Sequence, residues 1–150
     1  MRINLDLIRI SNAINNEYNV LRAWMVPSLL EVLKNNKHHE YPQKIFEVGS
    51  VFLPKENSRL AVLSTHKNVN YTEVRQILDS LFNLLDIRFE IKENQHDSFI
   101  KGRVARIYVN ESAVGYIGEI HPEVLENFDL DMPVSCFEIN LSELYKNLNS

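Results

Sequence analysis

Two apolar, β-branched runs, Arg103–Val109 and Ala113–Ile120, are separated only by Asn110-Glu111-Ser112. A link this short joins two strands as an antiparallel hairpin, because a parallel pair needs a crossover of a dozen residues or more. Further short strands are expected at Arg88–Lys92, at Arg59–Thr65 after the polar turn with Pro54 and Asn57, and at Val134–Asn140 after Pro133. Ile3–Ile10 alternates like a half-buried strand, and the Asn-rich segment Ser11–Asn16 reads as a loop. Lys44–Leu53 (KIFEVGSVFL) is apolar enough to be buried on both faces over part of its length, with Gly49 marking a bulge or a close backbone approach. The short links point to an α+β architecture, an antiparallel sheet flanked by helices gathered on one face.

The helices announce themselves by spacing and caps. Val26, Leu29, Leu30 and Leu33 fall at i, i+3, i+4, i+7, with Pro27 in the first turn and Asn35, Asn36 and Pro42 ending the helix. Asn70 with Glu73 resembles a capping box, followed by the stripe Val74, Ile77, Leu78, Leu81, Phe82 and Leu85. A short helix starts at Pro122, with Glu123 in its first turn and Leu125 and Phe128 facing inward, and Ser142 is expected to cap a terminal turn.

Chain length and composition set bounds on function. With 150 residues, 45% hydrophobic and 24% charged, the chain suits one globular domain that needs neither disulfide nor structural metal. Cys136 is the only thiol, so no internal bridge forms and a reducing cytoplasmic setting is expected. No apolar run reaches the roughly 18 to 20 residues that cross a bilayer, so no membrane is expected among its partners. Net charge is -4, and residues 101–150 carry four Lys/Arg against eight Asp/Glu, the wrong balance for a surface built to hold phosphates.

Side chains capable of chemistry are scattered. Gly102, Gly115 and Gly118 form no phosphate loop. His38 and His39 are adjacent, which places them on different sides of a helix end and leaves them as solvated terminal histidines. Glu119 and His121 stand at i, i+2, where His121 is better read as a cap before Pro122 than as half of an acid/base pair. Cys136 alternates with Val134 and reads as a buried small hydrophobe, while Ser28 and Ser64 lack a nucleophile-elbow setting. Arg103 and Arg106 flank Gly102 on opposite strand faces and read as solvent-facing. Glu47, between Phe46 and Val48 in a strand expected to be buried, needs a partner such as Arg22 or a backbone donor. From residues alone, the chain is an α+β domain without an evident active site.

The order of motifs carries more. Asn16–Arg22 (NEYNVLR), Pro27-Ser28-Leu29-Leu30, Tyr41–Gly49 (YPQKIFEVG), Tyr71-Thr72-Glu73-Val74, Phe99–Ala105 (FIKGRVA), Ile117–Leu125 (IGEIHPEVL) and Pro133–Leu141 occur in register over nearly the whole chain. In this order they resemble the core region of the β-subunit family of phenylalanyl-tRNA synthetases, in its archaeal and eukaryotic branch. The resemblance implies a class II aminoacyl-tRNA synthetase catalytic-like fold that has lost catalysis. It further implies a support role for the catalytic α subunit, together with the rest of the β subunit, in an α2β2 enzyme that joins phenylalanine to tRNA(Phe) with ATP and magnesium. No catalytic, cofactor or metal residue is implied in this domain. Leu21, Arg22, Pro27, Leu30, Phe46, Glu47 and Gly49 are implied as structural or interface residues of one half, and Gly102, Arg103, Gly118, Glu119, His121 and Pro122 of the other.

Two departures from the family pattern stand out. The Lys44–Leu53 strand lies where the second class II motif would be, but carries Phe46-Glu47-Val48-Gly49-Ser50 without the phosphate-clamping Arg, and nothing resembles the third motif. Family β subunits are several times longer, and the first-motif helix would lie upstream of this chain, so the chain reads as an excised domain whose uncovered apolar patch favours self-association. Two alternatives stay open: a residual cleft for an aminoacyl-adenylate-like molecule, with Arg103 or Arg106 on its phosphate, and direct contact with tRNA.

Overall fold

The structure, a computed structural model, describes residues 23–52 and 55–149. The expected strand at Ile3–Ile10, the loop after it, Leu21 and Arg22 lie outside the described residues, as do Leu53 and Pro54. The elements run α1 (Val26–Asn35), β1 (Gln43–Phe52), β2 (Glu56–Thr65), α2 (Tyr71–Leu84), β3 (Glu90–Glu93), β4 (Phe99–Val109), β5 (Ser112–Ile120), α3 (Pro122–Asn127), β6 (Val134–Asn140) and α4 (Leu141–Leu148).

The strands form one six-stranded sheet in the order β1-β2-β6-β5-β4-β3, antiparallel at every pairing. The β4–β5 hairpin closes through Asn110 and Glu111, whose φ of 49° and 69° are the paired left-handed values of a type I′ turn. β6 enters late in sequence but in the middle of the sheet, between β2 and β5. Every residue from Val134 to Ile139 is buried, which requires cover on both sides.

That cover comes from helices on both faces, which corrects the expectation of a single helical layer. On one face α1 and α3 pack Val26, Leu29, Leu30, Leu33 and Val124 against Leu63, Cys136, Val104 and Ile120. On the other, α2 and α4 pack Val74, Leu78, Phe82 and Leu144 against Ile107, Ile117, Phe137 and Ile139. Cys136 and Phe137, neighbours in sequence, fall in different cores because successive strand residues point oppositely.

β1 departs from expectation. At the edge of the sheet, it is covered by described residues on one side only: Val51 is buried and Ile45 packs toward α1, whereas Phe46 and Val48 are 73% and 60% exposed. Its register with β2 runs unbroken through Gly49↔Arg59, so Gly49 marks no bulge. The irregularities lie in β4, between Phe99 and Val104 and between Ile107 and Tyr108. Gly102, at φ +79°, occupies the first of them, where an L side chain is strained.

The caps are local and mostly as the residues suggest. Asn70 accepts from the Glu73 N–H at 3.0 Å, but the Glu73 carboxylate does not return to Asn70 as a capping box would. It binds Ser64 Oγ and His66 Nε2 instead, tying α2 to the end of β2. Leu85, expected on the buried stripe, sits at the C-cap and is exposed. Asn140, not Ser142, caps α4 by accepting from Glu143 N, and Ser142 Oγ accepts from Ser58 N. Cys136 is buried, and burial pushes its thiol well above the ordinary range.

Candidate functional site

The register of the sheet puts six residues from six strands into one transverse row: Glu47↔Ala61↔Glu138↔Tyr116↔Arg106↔Lys92. The row lies on the α1 face: Glu47, Ala61, Glu138 and Arg106 are each two residues from one that packs into that core, namely Ile45, Leu63, Cys136 and Val104, and Tyr116 and Lys92 stand in register with Glu138 and Arg106. On one side of it the face is apolar, with Ile45, Leu63, Cys136, Gly118 and Val104 under α1 and α3. On the other side Arg59 stands opposite Asn140. The boundary between apolar and polar halves is the candidate site.

Glu138 organises it. The residue is 1% exposed, and its Oε1 accepts from the backbone N–H groups of Met25 at 2.7 Å and Val26 at 2.9 Å, while Oε2 accepts from Arg59 Nη1 at 3.0 Å. Met25 is the N-cap of α1 and offers no side-chain oxygen for the unpaired donors of the first turn. A carboxylate from β6 supplies what the cap lacks, and its charge suits the positive end of the helix dipole. Burial outweighs the opposing pull of Arg59 and the two N–H groups and holds the Glu138 carboxyl above its ordinary range. Three donors on its two oxygens favour the carboxylate against that burial.

Beyond Glu138 the polar half opens into a cavity of about 270 Å³. Trp24, His96 and Tyr116 form its aromatic wall, with ring centroids 6.0 Å apart for Trp24–His96 and 5.8 Å for His96–Tyr116. The Arg106 guanidinium stacks 4.6 Å above the Tyr116 ring and has no carboxylate partner among the described residues. This corrects its reading as an ordinary solvent-facing Arg. His96 Nδ1 accepts from Ser98 N at 3.2 Å, which leaves the neutral ring's proton on Nε2. Burial pushes the His96 pKa down; Asp97 opposes and Arg106 adds to the fall. A second cavity, about 550 Å³, shares His96 and reaches Asp97, Lys101, His121 and Pro122.

The residues singled out from sequence are distributed around this cleft rather than gathered in it. Pro27 and Leu30 belong to α1, the first in its opening turn and the second fully buried. Glu47 is half-buried at the β1 end of the polar row, not deep in the core; its expected partner Arg22 lies outside the described residues. Phe46 points away from the row into solvent. Arg103 pairs with Glu119 at 3.0 Å, and with Gly102 and Tyr71 it lines a recess away from the cleft. His121 Nδ1 accepts from Glu123 N at 3.1 Å as the cap of α3, so Glu119 and His121 serve separate partners. At Gly118 a Cβ would come within 2.7 Å of Phe99 Cδ1 and 2.8 Å of the Arg103 carbonyl oxygen, a close approach that only glycine permits. The His38 and His39 rings are neighbours, 4.3 Å apart, and both residues are exposed.

Arg59, Trp24 and His96 fall in none of the motifs, and Glu138, though inside the Pro133–Leu141 run, is not among the residues singled out from it. Glu138 alone had a usable clue, a carboxylate between Phe137 and Ile139 in an otherwise buried strand. Among the described residues no three His, Cys, Asp or Glu side chains converge as metal ligands would. No helix of the described residues is long and apolar enough to cross a membrane.

Comparison with known proteins places this arrangement. The structure superimposes on a pyrrolysyl tRNA synthetase from Desulfitobacterium hafniense with a TM-score of 0.75 at 14% identity, covering 93% of this chain and 52% of that one. The sheet is therefore the class II aminoacyl-tRNA synthetase fold. In sequence, the chain is 50% identical over 148 residues to the phenylalanine–tRNA ligase beta subunit of Thermococcus onnurineus and 45% identical over 148 residues to that of Thermococcus kodakarensis. Each match covers 93% of this chain, which spans about a quarter (26%) of either relative. The family model for the phenylalanyl tRNA synthetase beta chain CLM domain matches residues 2–141, and the chain belongs to that family.

Proposed function

We propose that this chain is a non-catalytic domain of a phenylalanine–tRNA ligase β subunit, which supports a catalytic α subunit. The observation that carries the reading is the Arg59–Glu138 pair. A class II site spends its free guanidinium groups on ATP phosphate; here the buried carboxylate takes the Arg59 guanidinium and uses its second oxygen to fasten α1 to the sheet. The polar centre of the fold is thereby committed to holding shape. In this reading ATP, its magnesium and the joining of phenylalanine to tRNA(Phe) belong to the α subunit and the assembled enzyme. A cytoplasmic setting follows from that role.

The surface offered to the partner is the β1 edge. Phe46 and Val48 stand exposed on one side of a strand that, among the described residues, forms the edge of the sheet, an arrangement that a monomer leaves open at the risk of aggregation and that a partner subunit closes. Sedimentation of the chain with the phenylalanine–tRNA ligase α subunit tests this. The two are expected to sediment together, and a Phe46→Asp/Val48→Asp double variant is expected to bind at least about tenfold more weakly with its own melting temperature little changed. Separate sedimentation, or undiminished binding by the double variant, would contradict the assignment.

A further inference from the structure

The 270 Å³ cavity has a chemistry that the support role does not use. Its wall is aromatic on three sides, from Trp24, His96 and Tyr116, which suits a flat ring. At one end lies Arg106, a cation with no carboxylate among the described residues to neutralise it. His96, whose Nδ1 is engaged by Ser98 N, carries its proton on Nε2, for which no acceptor stands among the described residues. The remaining cation, Arg59, is already paired with Glu138. A guanidinium and an imidazole N–H beside aromatic faces are complementary to a carboxylate on a ring.

What the cavity lacks is equally selective. Among the described residues no Asp or Glu lines it, and Glu138, the partner of the lining Arg59, has its oxygens occupied by Arg59, Met25 N and Val26 N. An ammonium group entering here would lose water and meet Arg106 rather than a counter-charge. The volume is below the roughly 300 to 1,000 Å³ of pockets for drug-sized ligands, which favours one ring over a nucleotide.

We infer that the cavity between Trp24, His96, Arg106 and Tyr116 is a binding site for single-ring aromatic carboxylates that carry no ammonium group. The ligand's carboxylate lies toward Arg106 and His96 and its ring against Trp24. The site does not depend on which subunit performs catalysis, so it stands or falls apart from the support role.

Trp24 is the only tryptophan, so its fluorescence reports the cavity directly in the full chain. Titration with 3-phenylpropanoate is expected to give a saturable change, with 3-phenylpropanamide and phenylalanine each at least about tenfold weaker, since each loses a charge-assisted contact or brings an unpaired cation. Arg106→Gln is expected to weaken 3-phenylpropanoate about tenfold or more and to leave the amide unaffected, while Arg103→Gln, outside the cavity, changes neither. The comparison among the three ligands on the unaltered chain decides the matter even if Arg106→Gln folds poorly. A linear, non-saturating response to 3-phenylpropanoate, equal affinity for the amide, tighter binding of phenylalanine, or saturation by ATP at lower concentration would each overturn the assignment.

Discussion

Arg59 and Glu138 face each other across adjacent strands, Nη1 to Oε2 at 3.0 Å, 79 residues apart in sequence and almost closed off from water. The pair joins β2 to β6, and through Glu138 Oε1 it reaches the first turn of α1. One carboxylate thus closes a strand ladder and a helix cap at once.

Removing that carboxylate should be costly. Glu138→Ala leaves a buried guanidinium and two unpaired N–H groups, for which a loss of about 3 to 5 kcal/mol is expected. Urea unfolding gives the measurement, and a midpoint within error of the parent chain would contradict the role assigned to Glu138. Arg59→Met is expected to cost less than the reciprocal change, because Glu138 keeps its two backbone donors.

Substitutions at Gly102 and Gly118 should fail for different reasons. At Gly102 the obstacle is a positive φ with open space around it, so Asn, which tolerates the left-handed region, should be milder than Ala. At Gly118 the obstacle is the Arg103 carbonyl, so Ala costs about 1 to 3 kcal/mol and Asn is no better. Melting temperatures of the four variants test this, and the same rank order at both sites would contradict it.

A stabilising change is expected at the β4–β5 turn. Glu111 holds φ 69° in a type I′ turn whose preferred sequence is Asn-Gly, and Asn110 is already in place. Glu111→Gly should raise stability by about 0.5 to 1 kcal/mol, the relief of left-handed strain outweighing the extra freedom of the unfolded chain. A lower melting temperature would argue against the I′ geometry.

Acid should loosen the α2–β2 tie. Burial raises the Glu73 pKa, but the Ser64 hydroxyl and the His66 ring outweigh it and hold the carboxyl below its ordinary value of 4.5. A depressed folded-state pKa means that the unfolded chain binds the proton first. Its stabilisation is therefore present above pH 4.5 and is lost as pH falls through the lower folded value. The gap in urea midpoint between the parent chain and Glu73→Gln should stay constant above about pH 5 and shrink on acidification. A gap that widens in acid would contradict the sign.

Glu47 and Glu138 show where reading the sequence succeeds and where it stops. Each lies between two apolar residues in a strand, Phe46 and Val48 for one and Phe137 and Ile139 for the other, so periodicity treats them alike. The sheet order separates them: β1 is an edge and β6 is internal, hence Glu47 is half-buried and Glu138 is sealed in. That order depends on pairings between segments far apart in the chain, which no local window contains. Signals confined to one turn of chain were legible, among them the stripe Val26, Leu29, Leu30 and Leu33, the Asn70 cap, the His121-Pro122 helix start and the hairpin at Asn110. The cleft was not, because Trp24, His96, Arg106 and Tyr116 meet only when a loop, a helix approach and two strands are brought together.

The proposed role requires that the polar centre of this class II sheet serve structure and not turn over substrate. Phenylalanine-dependent ATP–pyrophosphate exchange on the full chain, free of α subunit, tests this most directly. No exchange above the protein-free blank is expected, with exchange appearing only when the α subunit is added. Exchange by the chain alone that disappears in Arg106→Gln would contradict the account, because the activity would then reside in this cleft.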